Sequence, residues 1–111
     1  MKTLEITHEV KAIDILAKEW RDKVNGNSYF SARIELDMAN GQTKIVNVPF
    51  QYGYENAYID ECKAVLTEHN YIYPEWFEGL RKYCIKNNIE LIVRKRENCL
   101  KRDVIAFGKG E

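Results

Sequence analysis

The sequence predicts an α+β fold: a single two-layer domain in which an antiparallel sheet, built from two hairpins, packs against about three helices. Three observations lead there. The 111 residues carry 45% hydrophobic and 31% charged side chains, an ordinary composition for one globular domain. The apolar spacing switches along the chain between a helical period and a period of two. The stretches with strand character are segregated from those with helical character, which is the α+β pattern. No low-complexity tract or Pro/Gly/Ser-rich linker divides the chain, so residues 1–111 read as one domain with a loose tail from about residue 108.

The elements follow in order. Leu4 and Ile6 alternate with Thr3 and Glu5, which suggests a short strand over residues 2–6. Thr7 can cap a helix, and Glu9 suits the first turn. Val10, Ile13, Leu16, Ala17, Trp20 and Val24 recur at helical spacing, and Asn25-Gly26-Asn27 supplies a left-handed stop. A first helix is therefore expected over about residues 8–24. The period then becomes two: Phe30, Ala32, Ile34 and Leu36 share one face, while Tyr29, Ser31, Arg33, Glu35 and Asp37 share the other. Asn40-Gly41 marks a hairpin, and Thr43–Phe50 returns with Val46, Val48 and Phe50 as its apolar face. A two-residue turn would set Leu36 opposite Ile45 and mix the faces. Pairing Leu36 with Val46 and Ile34 with Val48 keeps the faces consistent and requires a longer loop or a bulge near Gly41. Pro49, lacking a donor, places the end of this strand at a sheet edge.

Gln51-Tyr52-Gly53-Tyr54 is an aromatic turn. A second helix follows, with Tyr58, Ile59, Cys62, Val65, Leu66 and His69 on one stripe and Asn70 as its stop. Tyr71-Ile72-Tyr73 is a short extended link. Pro74 opens a third helix, with Trp76, Phe77, Leu80, Tyr83 and Cys84 as its stripe and Asn87-Asn88 as its end. Ile89–Val93 is expected as a strand that Arg94-Lys95-Arg96 carries into solvent. Glu97-Asn98 begins a turn, and Val104–Phe107 is expected as the return strand of a basic C-terminal hairpin.

Function classes narrow from here. Glu5, His8, Glu9 and Lys11 interrupt any apolar stretch near the start, so no secretory signal is read. No segment approaches the roughly 18 apolar residues of a membrane span. A soluble, cytoplasmic protein without membrane contact is expected. Cys62, Cys84 and Cys99 are widely spaced and odd in number, which points to free thiols, at least two of them buried. Cys62 and His69 would stand about 10 Å apart along a helix, too far to share an ion, and no metal or other cofactor is expected. His8 and His69 accompany no nucleophile motif. Glu75 and Glu78 suit the first turn of a helix without any catalytic role, and Asp60-Glu61 forms no catalytic set either. An enzyme is not expected.

The formal net charge of zero conceals a segregation. Residues 1–78 hold eight Lys/Arg against thirteen Asp/Glu, a net of −5, whereas residues 79–102 hold eight against two, a net of +6. Arg94, Lys95, Arg96, Lys101 and Arg102 form a basic cluster suited to phosphates, equally to an acidic protein partner, or to the bland task of keeping a strand edge soluble. Tyr52, Tyr54 and Tyr58 are a second cluster, of the residue type enriched at binding surfaces; local packing at the strand-to-helix corner is the plainer account.

Residues Asn27–Cys62 resemble a pattern in small uncharacterised proteins of phages and other mobile elements. In these an N-S/T-Y strand, an N-G hairpin, a V-P-F return and a Y-G-Y turn lead into a helix. Asn27, Tyr29, Asn40, Gly41, Val48, Pro49, Phe50, Tyr52, Gly53, Tyr54 and Tyr58 carry the resemblance, over about a third of the chain. It implies a small accessory protein made in the cytoplasm of an infected bacterium, of the kind that binds and disables a host factor such as a defence nuclease. It brings no catalytic residues. The expected function is thus a non-enzymatic protein that binds and modulates or inhibits a host macromolecular machine, a protein or nucleoprotein complex. Its expected contacts are Tyr52, Tyr54, Tyr58, Arg94, Lys95, Arg96, Lys101 and Arg102. The alternative is a nucleic-acid-binding protein using the basic hairpin. The acidic and basic segments also suit one another, so self-association stays open.

Overall fold

Residues 10–22 carry two periodicities at once, and the period of two prevails. The computed structural model, which describes residues 9–73 and 79–110, places them in a long strand, β1 (Val10–Asp22). The expected helix over 8–24 is corrected accordingly. On a helix, Ile15 would project away from the stripe of Ile13 and Ala17. In the strand, Ile13, Ile15 and Ala17 all enter the core at 1%, 0% and 0% exposure, and burying an isoleucine contributes about 1.5–3 kcal/mol. Leu16 and Trp20 turn to the opposite face, where they are half-buried. An inner strand covered on both faces has apolar residues on both, and here their spacing mimics a helix.

The remaining elements are β2 (Asn27–Met38), β3 (Thr43–Tyr52), α1 (Ala57–Glu68), α2 (Leu80–Lys86), β4 (Glu90–Arg96) and α3 (Lys101–Gly108). Among the described residues they form the expected α+β domain, a four-stranded sheet in the order β3-β2-β1-β4 packed against three helices. β1, β2 and β3 make an antiparallel meander, while β4 joins β1 in parallel. The expected C-terminal hairpin is absent, since residues 101–108 are helical and β4 is an edge strand of its own. Val104, Phe107 and Gly108, at helical spacing, are the buried residues of α3. The short strand expected over 2–6 and the residues Pro74–Glu78 of the third helix lie outside the described residues.

Turn chemistry sets the two hairpins. Asp22 pairs with Asn27, and the Gly26 N–H donates to the Asp22 carbonyl at 2.7 Å with Gly26 at φ +74°. The left-handed glycine that looked like a helix stop thus closes a hairpin. Between β2 and β3, the Met38 N–H donates to the Gln42 carbonyl at 2.9 Å, leaving the loop Ala39-Asn40-Gly41. The Asn40 side chain accepts from the Gln42 N–H at 3.0 Å, and Gly41 takes φ +87°. The longer loop is as expected, but it centres on Asn40. Ile34 therefore pairs with Val46, and Leu36 with Lys44, two residues from the expected pairing and with the same faces. Opposite Ser31, the register shifts so that Ala32 pairs with Val48 and Phe30 with Gln51. Pro49 and Phe50 form that bulge on an edge strand, where a missing N–H is tolerated.

One face of the sheet, through Ile13, Ile15, Ala32, Ile34, Leu36, Val46 and Val48, forms a continuous core with Cys62 and Leu66 of α1 and Leu80 and Cys84 of α2. α3 lies on the other face, so the expected two-layer arrangement is corrected. Helices cover both sides of the sheet, because Val104 and Phe107 bury against its second face. The parallel β4 also makes the sheet mixed and not wholly antiparallel. The fully buried Ser31 hydroxyl donates to the Val104 carbonyl at 2.6 Å. A Cβ on Gly108 would sit 2.9 Å from the Phe50 backbone nitrogen and 3.0 Å from the Ser31 Cβ. Only glycine lets α3 approach the bulge this closely.

Candidate interaction surface

Beyond Ala17 the sheet continues as a ledge whose α3-side face is aromatic. Trp20 pairs with Tyr29, and Tyr29 with Tyr52, so the period of two directs all three rings to one side. The bulge adds Phe50. Ring centroids are 5.5 Å apart for Trp20–Tyr29, 5.2 Å for Tyr29–Phe50, and 5.8 Å for Tyr29–Tyr52. Tyr54 extends the strip, 6.0 Å from Tyr52 and at 79° to it. The strip becomes more exposed along its length. Trp20, Tyr29 and Phe50 are half-buried, whereas Tyr52 and Tyr54 are 56% and 54% exposed. At its other end, the Lys101 ammonium stands 5.1 Å above the Trp20 ring, within the range of a cation–π contact.

The opposite face of the same ledge holds an ion pair. Lys95 Nζ lies 3.2 Å from Glu19 Oε2, with the two side chains only 17% and 13% exposed. The same ammonium donates to the Glu55 carbonyl at 3.1 Å and sits 5.5 Å from the Tyr58 ring centroid. Glu55 has φ +58°, a conformation costly for a residue with a Cβ. Lys95 thereby ties the corner between β3 and α1 to β4. At that corner the Gly53 N–H donates to the Ser28 carbonyl at 3.0 Å, and a Cβ on Gly53 would come within 2.7 Å of the Phe30 ring. An open depression of about 460 Å³ lies alongside, lined by residues that include Tyr54, Glu55, Lys95 and Glu97.

The expected contact residues divide into three groups. Tyr52, Tyr54, Arg96, Lys101 and Arg102 are exposed, with Arg96 on the α3 side through its pairing with Lys18 and Arg102 at 83% side-chain exposure. Tyr58 and Lys95 support the ledge from within: Tyr58 is 7% exposed, with its ring 6.5 Å from Phe30. Arg94 lies nearer the middle of the sheet, bonded to both carboxylate oxygens of Asp14 at 3.1 and 3.2 Å. The fold unites the two clusters, since Tyr54 and Lys95 line one depression and a chain of rings joins Tyr52 to Lys101. Trp20, Tyr29 and Phe50 belong to the strip, although nothing in the sequence marks them as contact residues. Alternation along a β1 strand is the signal that places Trp20 beside Tyr29.

Two of the three thiols, Cys62 and Cys84, are buried away from solvent. Burial pushes Cys62 up to about 12 and Cys84 up to about 11, while the half-buried Cys99 Sγ lies 3.4 Å from the Arg96 carbonyl. His69 stacks on Tyr71, with centroids 6.4 Å apart. Among the described residues, no group of three or more His, Cys, Asp or Glu side chains is arranged to hold a metal ion. No helix among them is long and apolar enough to cross a membrane. Comparison with protein-family models, curated proteins and solved structures finds no match to this chain.

Proposed function

We propose that this chain is a non-enzymatic binding protein that acts by contact, with the ledge at the end of its sheet as the contact surface. The supporting observation is the exposure of Tyr52 and Tyr54 at the end of a ring strip that reaches Lys101. Tyrosines offer large contact area at low entropic cost, and rings beside cations are typical of recognition surfaces. The resemblance of residues 27–62 to phage and mobile-element proteins adds the setting: an accessory protein that modulates or inhibits a host macromolecular machine, such as a defence system, in the cytoplasm of an infected bacterium.

Affinity capture from bacterial lysate tests this. The Tyr52→Ala/Tyr54→Ala double variant and Lys101→Glu should lose the same captured species. Tyr73→Ala, at a 47% exposed tyrosine outside the ledge, should retain them. A captured set unchanged by the double variant would refute the reading.

A further inference from the structure

We infer that the ledge binds single-stranded nucleic acid, with bases stacked on Tyr52 and Tyr54 and the phosphate backbone held on the Lys101 side. The inference rests on the ledge being the contact surface and assigns the partner's chemistry.

Three observations carry it. Tyr52 and Tyr54 are each more than half exposed, and their rings meet at 79°. Two bases lying on those faces must splay apart, which a single strand permits and a stacked duplex resists. Stacking on aromatic side chains is sequence-tolerant because every base has a π-face. Secondly, cations flank the strip on one side. Lys101 stands over Trp20, Arg102 follows it at 83% side-chain exposure, and Arg96 is exposed on the same face of the sheet. Arg102 Nε lies 3.9 Å from an Asp103 carboxylate oxygen, a solvent-exposed pair that a phosphate can displace. The depression on the other side of Tyr54 holds Glu19, Glu55 and Glu97 against Arg21 and Lys95, and Lys95 is already paired with Glu19. Its balance of charge is negative, so a polyanion is steered toward Lys101. Thirdly, α3 is seated on the sheet through Val104, Phe107 and Gly108. It is not a free helix of the kind that enters a major groove, which favours the single strand over the duplex. An acidic peptide would satisfy the cations but draw little from the edge-to-face rings.

Fluorescence anisotropy with a labelled 12-residue oligo-dT, the matching dT·dA duplex and poly-glutamate as competitor decides the matter. Neutralising about three phosphates of a single strand gives a salt slope near −2, so raising salt from 50 to 200 mM should weaken oligo-dT binding roughly fifteenfold. Tyr52→Ala and Tyr54→Ala should each weaken it by about tenfold. Glu97→Gln should tighten it, and Tyr73→Ala should leave it unchanged. Each variant alters an exposed side chain, and circular dichroism confirms its fold. Any of four results overturns the inference: no salt-dependent binding at 50 mM, duplex bound as tightly as single strand, poly-glutamate competing as well as oligo-dT, or indifference to both tyrosine substitutions. If oligo-dT fails while capture from lysate still depends on Tyr52 and Tyr54, the contact surface stands and its partner is a protein. If both fail, the contact surface falls as well.

Discussion

Replacing Lys95 by Met removes the cation that holds the ledge together, and the structure gives the scale of the effect. At 3.2 Å from Glu19, opposite unit charges in a medium of effective dielectric about 20 attract by about 5 kcal/mol. Desolvation offsets much of this, because both side chains are less than one-fifth exposed. What remains on truncation is a shielded Glu19 carboxylate without its cation and the lost bond to the Glu55 carbonyl, each of which destabilises. Lys95→Met should therefore cost about 2–4 kcal/mol. Glu19→Leu alone should cost a similar amount by stranding the ammonium. The double variant, which puts apolar groups of similar size in place of both charges, should lie within about 1–2 kcal/mol of the parent. Urea unfolding of the four proteins completes a double-mutant cycle with a coupling energy of at least about 2 kcal/mol. Single costs below about 0.5 kcal/mol that simply add would show a solvated contact of the surface kind and refute the role of Lys95 as the tie between β4 and the β3–α1 corner.

Other consequences are as directly measurable. Gly108→Ala pushes a methyl against the backbone at Phe50 and should cost about 1–3 kcal/mol in urea unfolding, whereas Gly79→Ala, where a Cβ meets nothing within 4 Å, should cost little. A thiol-specific disulfide reagent at pH 8 should titrate Cys99 rapidly in the native protein and reach Cys62 and Cys84, held near 12 and 11 by burial, only on unfolding; three equally fast thiols would contradict the packing. The Asn25 side-chain amide, together with the Asn25 and Val24 backbone N–H groups, holds the Asp22 carboxyl below its ordinary 3.8, with Lys101 a smaller influence in the same direction. A lowered carboxyl contributes stability above its unfolded value, and that contribution disappears as pH falls through the folded value. Asn25→Ala should thus move the Asp22 midpoint upward in an NMR titration, and an unmoved midpoint would deny the hydrogen bond its role.

Where local pattern and tertiary environment agree, the fold was legible. The β2–β3 hairpin, the parity of its faces, the edge position of Pro49 and helix α1 all follow from alternation, turn residues and one apolar stripe. Asn70 and Asn88, the expected helix stops, do adopt positive φ of 62° and 57°. Where two periods fit the same residues, local pattern fails. β1 shows a helical spacing because an inner strand needs apolar side chains on both faces, and Ile15 is the residue that distinguishes the cases. α3 resembles a strand because Val104-Ile105-Ala106-Phe107 is too short for its period to show, and its N-cap position, Leu100, has no side-chain cap. The contact residues were half legible for the same reason. The exposed tyrosines and the basic run announce themselves, but the half-buried rings that join them come from three strands, and only pairing brings them together.

The parallel pairing of β4 with β1 also bears on the order of assembly. Asp14 meets Ile92 across 78 intervening steps of chain, whereas β1, β2 and β3 meet through short turns. The meander can zip early, but β1 then presents an open edge until the C-terminal third arrives, and such non-local closure is slow. During that interval the open edge invites a foreign strand. The most available one is the β4 of another copy, which would yield a domain-swapped dimer with the same sheet order. Shortages of the monomer at high expression are thus expected to reflect folding order and not any weakness of the finished core.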